Sequence, residues 1–144
     1  MRLCNLYHAT SRKNTESILR EGLKRGHPSN WNGMCMQDML YLAVNPETAR
    51  NYVETSDTYQ GEGIDVFRID AEKLDQNQIG YDWNNRCEYE DDINSVSYNA
   101  DIPAEFIKIA NESASGGTIH DFFGTDWYER IMEVFHCENA FARE

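Results

Sequence analysis

The sequence predicts one α+β domain, built on mainly antiparallel sheets with flanking helices. Three observations lead to it. Short apolar runs of strand length recur along the chain, at Leu3 to His8, Leu40 to Val44, Ile64 to Ile69, Ile93 to Tyr98 and Ile102 to Ile109. Helix signals follow the first two of these runs and return near the C-terminal end. The order is therefore strand, helix, strand, helix and then several strands, not the steady alternation of a parallel sheet. The chain has 144 residues, enough for one sizeable core and not for two.

In order along the chain, Leu3 to His8 reads as a first strand and Thr10-Ser11-Arg12-Lys13 as the loop after it. Asn14 is placed to cap a helix whose apolar side is Ile18 and Leu19, and Gly22 falls where a left-handed C-terminal residue is wanted. Lys24 to Asp38 contains Gly26, Pro28, Asn30, Asn32 and Gly33 and reads as a long loop, of a length that often serves as a lid. Leu40 to Val44 is the clearest strand. Asn45 then caps a second helix with Pro46 at its first position and Glu47 at the positive end of the dipole, and this helix should run through Tyr52 and Val53.

Past Gly61 and Gly63, Ile64 to Ile69 is a third strand, and Asp75 to Asp92 reads as polar and irregular. Ile93 to Tyr98 alternates apolar and polar residues as a strand does, and Ile102 to Ile109 is a turn followed by a last strand. Residues 1–110 thus form the expected core. In 111–144, the Ser- and Gly-rich stretch from Asn111 to Thr118 is a flexible break. Trp127, Tyr128, Ile131, Met132, Val134 and Phe135 then recur at the spacing of an amphipathic helix packing on the same domain.

Composition narrows the function classes. A net charge of -12 repels phosphate backbones, so nucleic acid is disfavoured as a partner unless a local basic patch survives. Mean hydropathy is -0.71 and no run approaches the roughly 20 apolar residues of a membrane span, so no membrane is expected. Met1 to His8 turns polar before a signal-peptide core could form, so the protein is expected to be cytoplasmic. Cys4, Cys35, Cys87 and Cys137 contain no C-x-x-C pair, and neither His136-Cys137 nor His27 with Cys35 has a ligand spacing, so reduced thiols and no metal site are expected.

Three clusters could carry chemistry: Tyr7-His8-Ala9-Thr10, Leu40-Tyr41-Leu42-Ala43 with Tyr52, and the acidic approach to Ser95. Singly, each has a plain structural meaning. A strand-end histidine is usually a structural polar group, a strand tyrosine satisfies β propensity, and Glu88, Glu90, Asp91 and Asp92 suit a solvated face. Their combination resembles a known family. Leu6-Tyr7-His8-Ala9-Thr10, the helix ending Glu21-Gly22-Leu23, Leu40-Tyr41-Leu42-Ala43 and Ala49-Arg50-Asn51-Tyr52 look like the ADP-ribosyltransferase fold of the His-Tyr-Glu class, which includes diphtheria-toxin-like and poly-ADP-ribose-polymerase-like enzymes. The stretch from Ser97 to Ile107, with its tyrosine, short turn and Ile102-Pro103, is similar to small bacterial and phage relatives. The resemblance covers residues 3–109.

It implies NAD as substrate, with His8 on the ribose and the backbone of the following residue, Ala9, on the nicotinamide amide. The family usually has Gly there. Tyr41 and Tyr52 are implied to sandwich the nicotinamide, with Thr10, Ala43 and Asn94 completing the NAD site. Electron-rich rings suit a cationic pyridinium, and the breaking glycosidic bond leaves an oxocarbenium ion to be held beside a nucleophile. The third residue departs from the pattern, because aligning Tyr98 places Asn94 where the family has Glu, and an amide cannot act as a base.

Asp92, two residues earlier and expected on the same strand face, is the favoured acid, with Asp75 in reserve. The catalytic set is then His8, Tyr41 and Asp92. His8 and Tyr41 are expected to share one pocket, on the same face of the sheet. The Lys24 to Asp38 loop is expected beside it, with Lys24, Arg25 or His27 toward the pyrophosphate. The implied activity is mono-ADP-ribosyl transfer to a protein or small-molecule acceptor, as in toxins and phage effectors. The alternatives are a degenerate NAD-binding or acidic protein-binding module, and a tRNA 2'-phosphotransferase, which the net charge disfavours.

Overall fold

The computed structural model describes residues 5–25, 39–56, 59–83, 85, 87–111 and 117–140. The fold is α+β. Strands β1 (Asn5–Ser11), β2 (Leu40–Ala43), β3 (Ile64–Asp70), β4 (Ile79–Tyr81), β5 (Ser95–Tyr98) and β6 (Ile107–Ile109) form one sheet in the order β4-β5-β2-β1-β3-β6. Every neighbouring pair is antiparallel. The helices are α1 (Thr15–Glu21), α2 (Pro46–Glu54) and α3 (Asp126–Ala140).

One face of the sheet carries the main core. Leu6, Leu42, Phe67, Ile69 and Val96 are fully buried there, together with Trp127, Ile131 and Phe135 from α3. The other face is built from smaller residues, Ala9, Ala43, Val66 and Ile64, against which α2 lays Ala49 and Val53, flanked by Tyr7 and Tyr52. The α2 start is as the sequence predicts: the Asn45 side chain accepts from the Thr48 N–H at 2.7 Å and Pro46 occupies the first turn. Gly22 has φ +83° and a Cβ there would collide with the Ile102 carbonyl, so the turn after α1 needs glycine on two counts.

Four expectations need correction. Thr10 and Ser11 belong to β1, not to a loop, because β3 supplies both with partners, Asp65 and Ile64. Asn14 does not cap α1: a 3-10 turn at Arg12–Asn14 already leads into the helix, and the Asn14 amide bonds Thr10 Oγ1 instead. The stretch read as irregular contains β4, held by its pairing with β5. Ile93 and Asn94 lie outside β5, which starts at Ser95. Most of the expected lid, from Gly26 to Asp38, lies outside the described residues.

The C-terminal segment is tied to the rest. Arg130 Nη2 donates to the Gln76 and Ile79 carbonyls, and His120 and His136 meet Asp91 (2.9 Å) and Glu90 (3.0 Å) in the 3-10 turn Glu90–Asp92. No helix among the described residues is long and apolar enough to cross a membrane.

Candidate active site at the junction of two half-sheets

The sheet is two three-stranded units with one seam. β1 and β3 pair over seven residues, and β2 and β5 over four, but β1 and β2 share a single pair, Tyr7 with Ala43. Backbone hydrogen bonds show what faces the seam. Val66 spends its N–H on Asn111 Oδ1 and its carbonyl on the Ala110 N–H, both away from β1. The Ala9–Val66 pair is therefore of the non-hydrogen-bonded kind, and Ala9 directs its own N–H and C=O toward β2.

On the other strand, the Val44 N–H donates to the Asn94 carbonyl, and alternation along the ladder turns the Tyr41 backbone toward β1. Ala9 and Tyr41 would face each other in continuous register, yet among the described residues β2 gives Ala9 no ladder partner. The ladder between the half-sheets stops there.

The half-buried His8 ring enters this gap and hydrogen-bonds the Tyr41 backbone. Burial pushes its pKa below the ordinary histidine value, and the bond to Tyr41 pulls the other way, as a carbonyl accepting from the ring does. A neutral imidazole that donates from one nitrogen keeps the other as an acceptor. His8 and Tyr41 thus meet, but not as the expected same-face pair. Strand alternation puts His8 on the Leu42 face and Tyr41 on the Ala43 face with Ala9 and α2, and the contact runs through the gap to the Tyr41 backbone.

Tyr52, from the flank of α2, ends in a polar cluster. Its hydroxyl donates to Asn94 Oδ1 (2.8 Å) and accepts from Asn85 Nδ2 (2.9 Å). Asn85 Nδ2 also reaches Asn94 Oδ1 (2.8 Å) and Ser95 Oγ (3.2 Å), and Ser95 donates to the buried Asp82 carboxylate at 2.6 Å. Burial raises the Tyr52 pKa, the Ser95 hydroxyl beside it pulls the other way, and the charge of Asp82 adds to the rise. Cys87 closes the cluster: its thiol donates to the Asp92 and Asn85 carbonyls, and burial with the Asp92 and Asp82 charges pushes its pKa up. It remains a thiol at neutral pH.

No family model matches the chain, and no curated protein matches it either. Among solved structures it is similar to EcPltA, with a TM-score of 0.48 and 14% identity over 81% of this chain and 85% of that one.

Of the residues singled out from sequence, His8, Ala9 and Tyr41 gather at the seam, Ala43 and Thr10 are buried on either side of it, and Tyr52 and Asn94 are hydrogen-bonded to each other. Asp92 does not share a strand face with Asn94. It sits exposed in the 3-10 turn before β5, because Asp91 and Glu90 are drawn to His120 and His136. Asp75 caps the turn before β4 and its N–H bonds Tyr98 Oη, at the far end of β5 from Asn94. Arg25 is engaged by Asp101 (3.6 Å) and Asn99 Oδ1 (3.0 Å), and His27 lies outside the described residues.

Asp82 and Asn85 went unremarked in the sequence. Their one signal is a run of Asp and Asn, Asp82 to Asn85 interrupted by Trp83, whose burial depends on β4.

Proposed function

We propose that this chain is an NAD-dependent mono-ADP-ribosyltransferase that takes NAD as substrate and a protein or small-molecule acceptor. The observation that carries the reading is the seam, where the Ala9 N–H and C=O point toward β2 beyond the last β1–β2 pair, beside the His8 ring. A donor and an acceptor side by side match a primary carboxamide, the group nicotinamide carries. Tyr41 and Tyr52 stand on the α2 side of the sheet and supply two aromatic faces, each attracting a cationic ring by about 0.5–2 kcal/mol. The remaining His8 nitrogen is assigned to accept a ribose hydroxyl.

Cleavage of the bond between ribose and nicotinamide leaves positive charge on the ribose; the acceptor attacks that carbon and loses its proton. Asn94 has no basic atom to take the proton. Among the exposed carboxylates before Asn94 we assign this proton to Asp92, the one nearest to it in the chain, and Asp92→Asn is expected to lower transfer about 10²-fold while NAD binding survives. Full transfer in that variant removes Asp92 from the mechanism.

The deciding experiment incubates the purified chain with NAD and follows nicotinamide release by chromatography and the melting temperature by calorimetry. Release together with a rise in melting temperature is expected, and Tyr41→Ala and Tyr52→Ala should each lose the rise. Absence of both effects overturns the reading. Asn94, an amide in place of an acid, favours a second one, an NAD-binding module without turnover, which a rise without release would select.

A further inference from the structure

We propose that Asp82 is the positioning residue of this site: through Ser95 and Asn85 it fixes the direction of the side-chain hydrogen bonds that join Asn94 and Tyr52. The inference rests on the transferase reading for its kinetic consequence. It stands on geometry for the rest.

An ionised carboxylate only accepts, so the single Ser95 proton is committed to Asp82 Oδ2, 2.6 Å away. Ser95 Oγ can then only accept from Asn85, whose Nδ2 lies at 3.2 Å. That fixes Asn85 with its amide nitrogen inward, facing Asn94 Oδ1 (2.8 Å) and Tyr52 Oη (2.9 Å) as well. Asn94 Oδ1 in turn takes the Tyr52 proton at 2.8 Å. Both acceptor directions of that oxygen are used, and the Asn94 N–H2 has no partner among the described residues. The chain of bonds therefore ends by leaving a hydrogen-bond donor at the position where the resemblance expects an acid, and by fixing the direction in which the Tyr52 hydroxyl donates.

Asp82 and Ser95 are 6% and 2% exposed, so neither touches a substrate and both act through their neighbours. Replacing the carboxylate by an amide allows the sequence of donors and acceptors to reverse, because the new side chain could donate to Ser95. Asn85 and Asn94 would then be free to turn over. The Tyr52 hydroxyl, whose pKa the Asp82 charge helps to raise, reports on the same connection without any substrate.

The test is Asp82→Asn, with Ser95→Ala cutting the same chain one atom later in case the first variant does not fold. Nicotinamide release under saturating NAD is expected to fall on the order of 10- to 100-fold, with KM within about threefold of wild type, since the rings and the Ala9 backbone are untouched. The Tyr52 titration, followed by ultraviolet difference absorbance against Tyr52→Phe, is expected to move to lower pH in Asp82→Asn. Unchanged kcat in both variants, or losses carried by KM alone, would overturn the positioning role. A wild-type protein that releases no nicotinamide ends the transferase reading instead. The Tyr52 titration still decides on Asp82 in that case, and an unmoved titration rejects it.

Discussion

The two sides of β1 are built in opposite ways. Toward β3 the strand has seven register partners and Phe67 and Ile69 lie behind it with no exposure, whereas toward β2 it has one partner and then a gap. One strand serves both purposes because alternate residues aim their hydrogen-bonding groups to opposite sides. Leu6, His8 and Thr10 spend theirs on β3, and Ala9 keeps its own for the gap. A ladder that holds the fold together can thus turn backbone groups toward its other edge beyond the last pair there, with no loop required.

Breaking the ladder side should have the largest effect. Phe67→Ala is expected to cost about 3–5 kcal/mol in denaturant unfolding, and a loss under about 1 kcal/mol would mean that the β1–β3 side does not carry the structure. The seam itself can be read by hydrogen exchange. The Ala9 amide is expected to exchange at least about 100-fold faster than the amides of His8 and Thr10, which point to β3; equal protection would close the gap described here.

Smaller still is Tyr52→Phe, which removes a hydroxyl bonded to Asn94 and Asn85 and should cost about 1 kcal/mol in thermal unfolding while the ring keeps its place. The least effect is a pH dependence. The folded-state His8 pKa lies below the ordinary histidine value, so the unfolded chain takes up its proton first. Stability should fall as pH drops through about 6.5 toward the folded-state value, and His8→Gln should flatten that limb of the melting-temperature profile.

The sequence revealed what depends on local patterning. β2, β3 and α2 were legible because their apolar spacing, the Asn45 cap and Pro46 are local instructions that the tertiary structure does not override. What stayed hidden depends on partners far along the chain. β4 is three residues, too short to show a period, and exists because β5 pairs with it. Asp82 and Ser95 are thirteen residues apart and meet through that same pairing. Asp92 was placed on a strand because the alternation of Ile93 to Tyr98 extends naturally backward. The preceding residues form a turn instead, where Asp91 and Glu90 meet His120 and His136, 29 and 46 residues downstream. The aromatic and histidine positions of the candidate site rest on the resemblance, and the opposite-face arrangement of His8 and Tyr41 follows from the strand register.

A single residue pair cannot fix an angle. With Tyr7 and Ala43 as the one rung between the half-sheets among the described residues, that pair works as a hinge pin, and Ala9 and Tyr41, two residues out, sit at the end of a short lever of about 6.6 Å. A rotation of about 10° about the pin changes the opening there by about 1 Å, the difference between a hydrogen bond made and one lost, at strand rise of about 3.3 Å per residue. The helix α2 packs across β1, β2 and β3 and so bridges the pin. The width of the opening is thereby set by how Ala49 and Val53 seat on Ala9 and Ala43, and one methyl more or less in that layer would retune it.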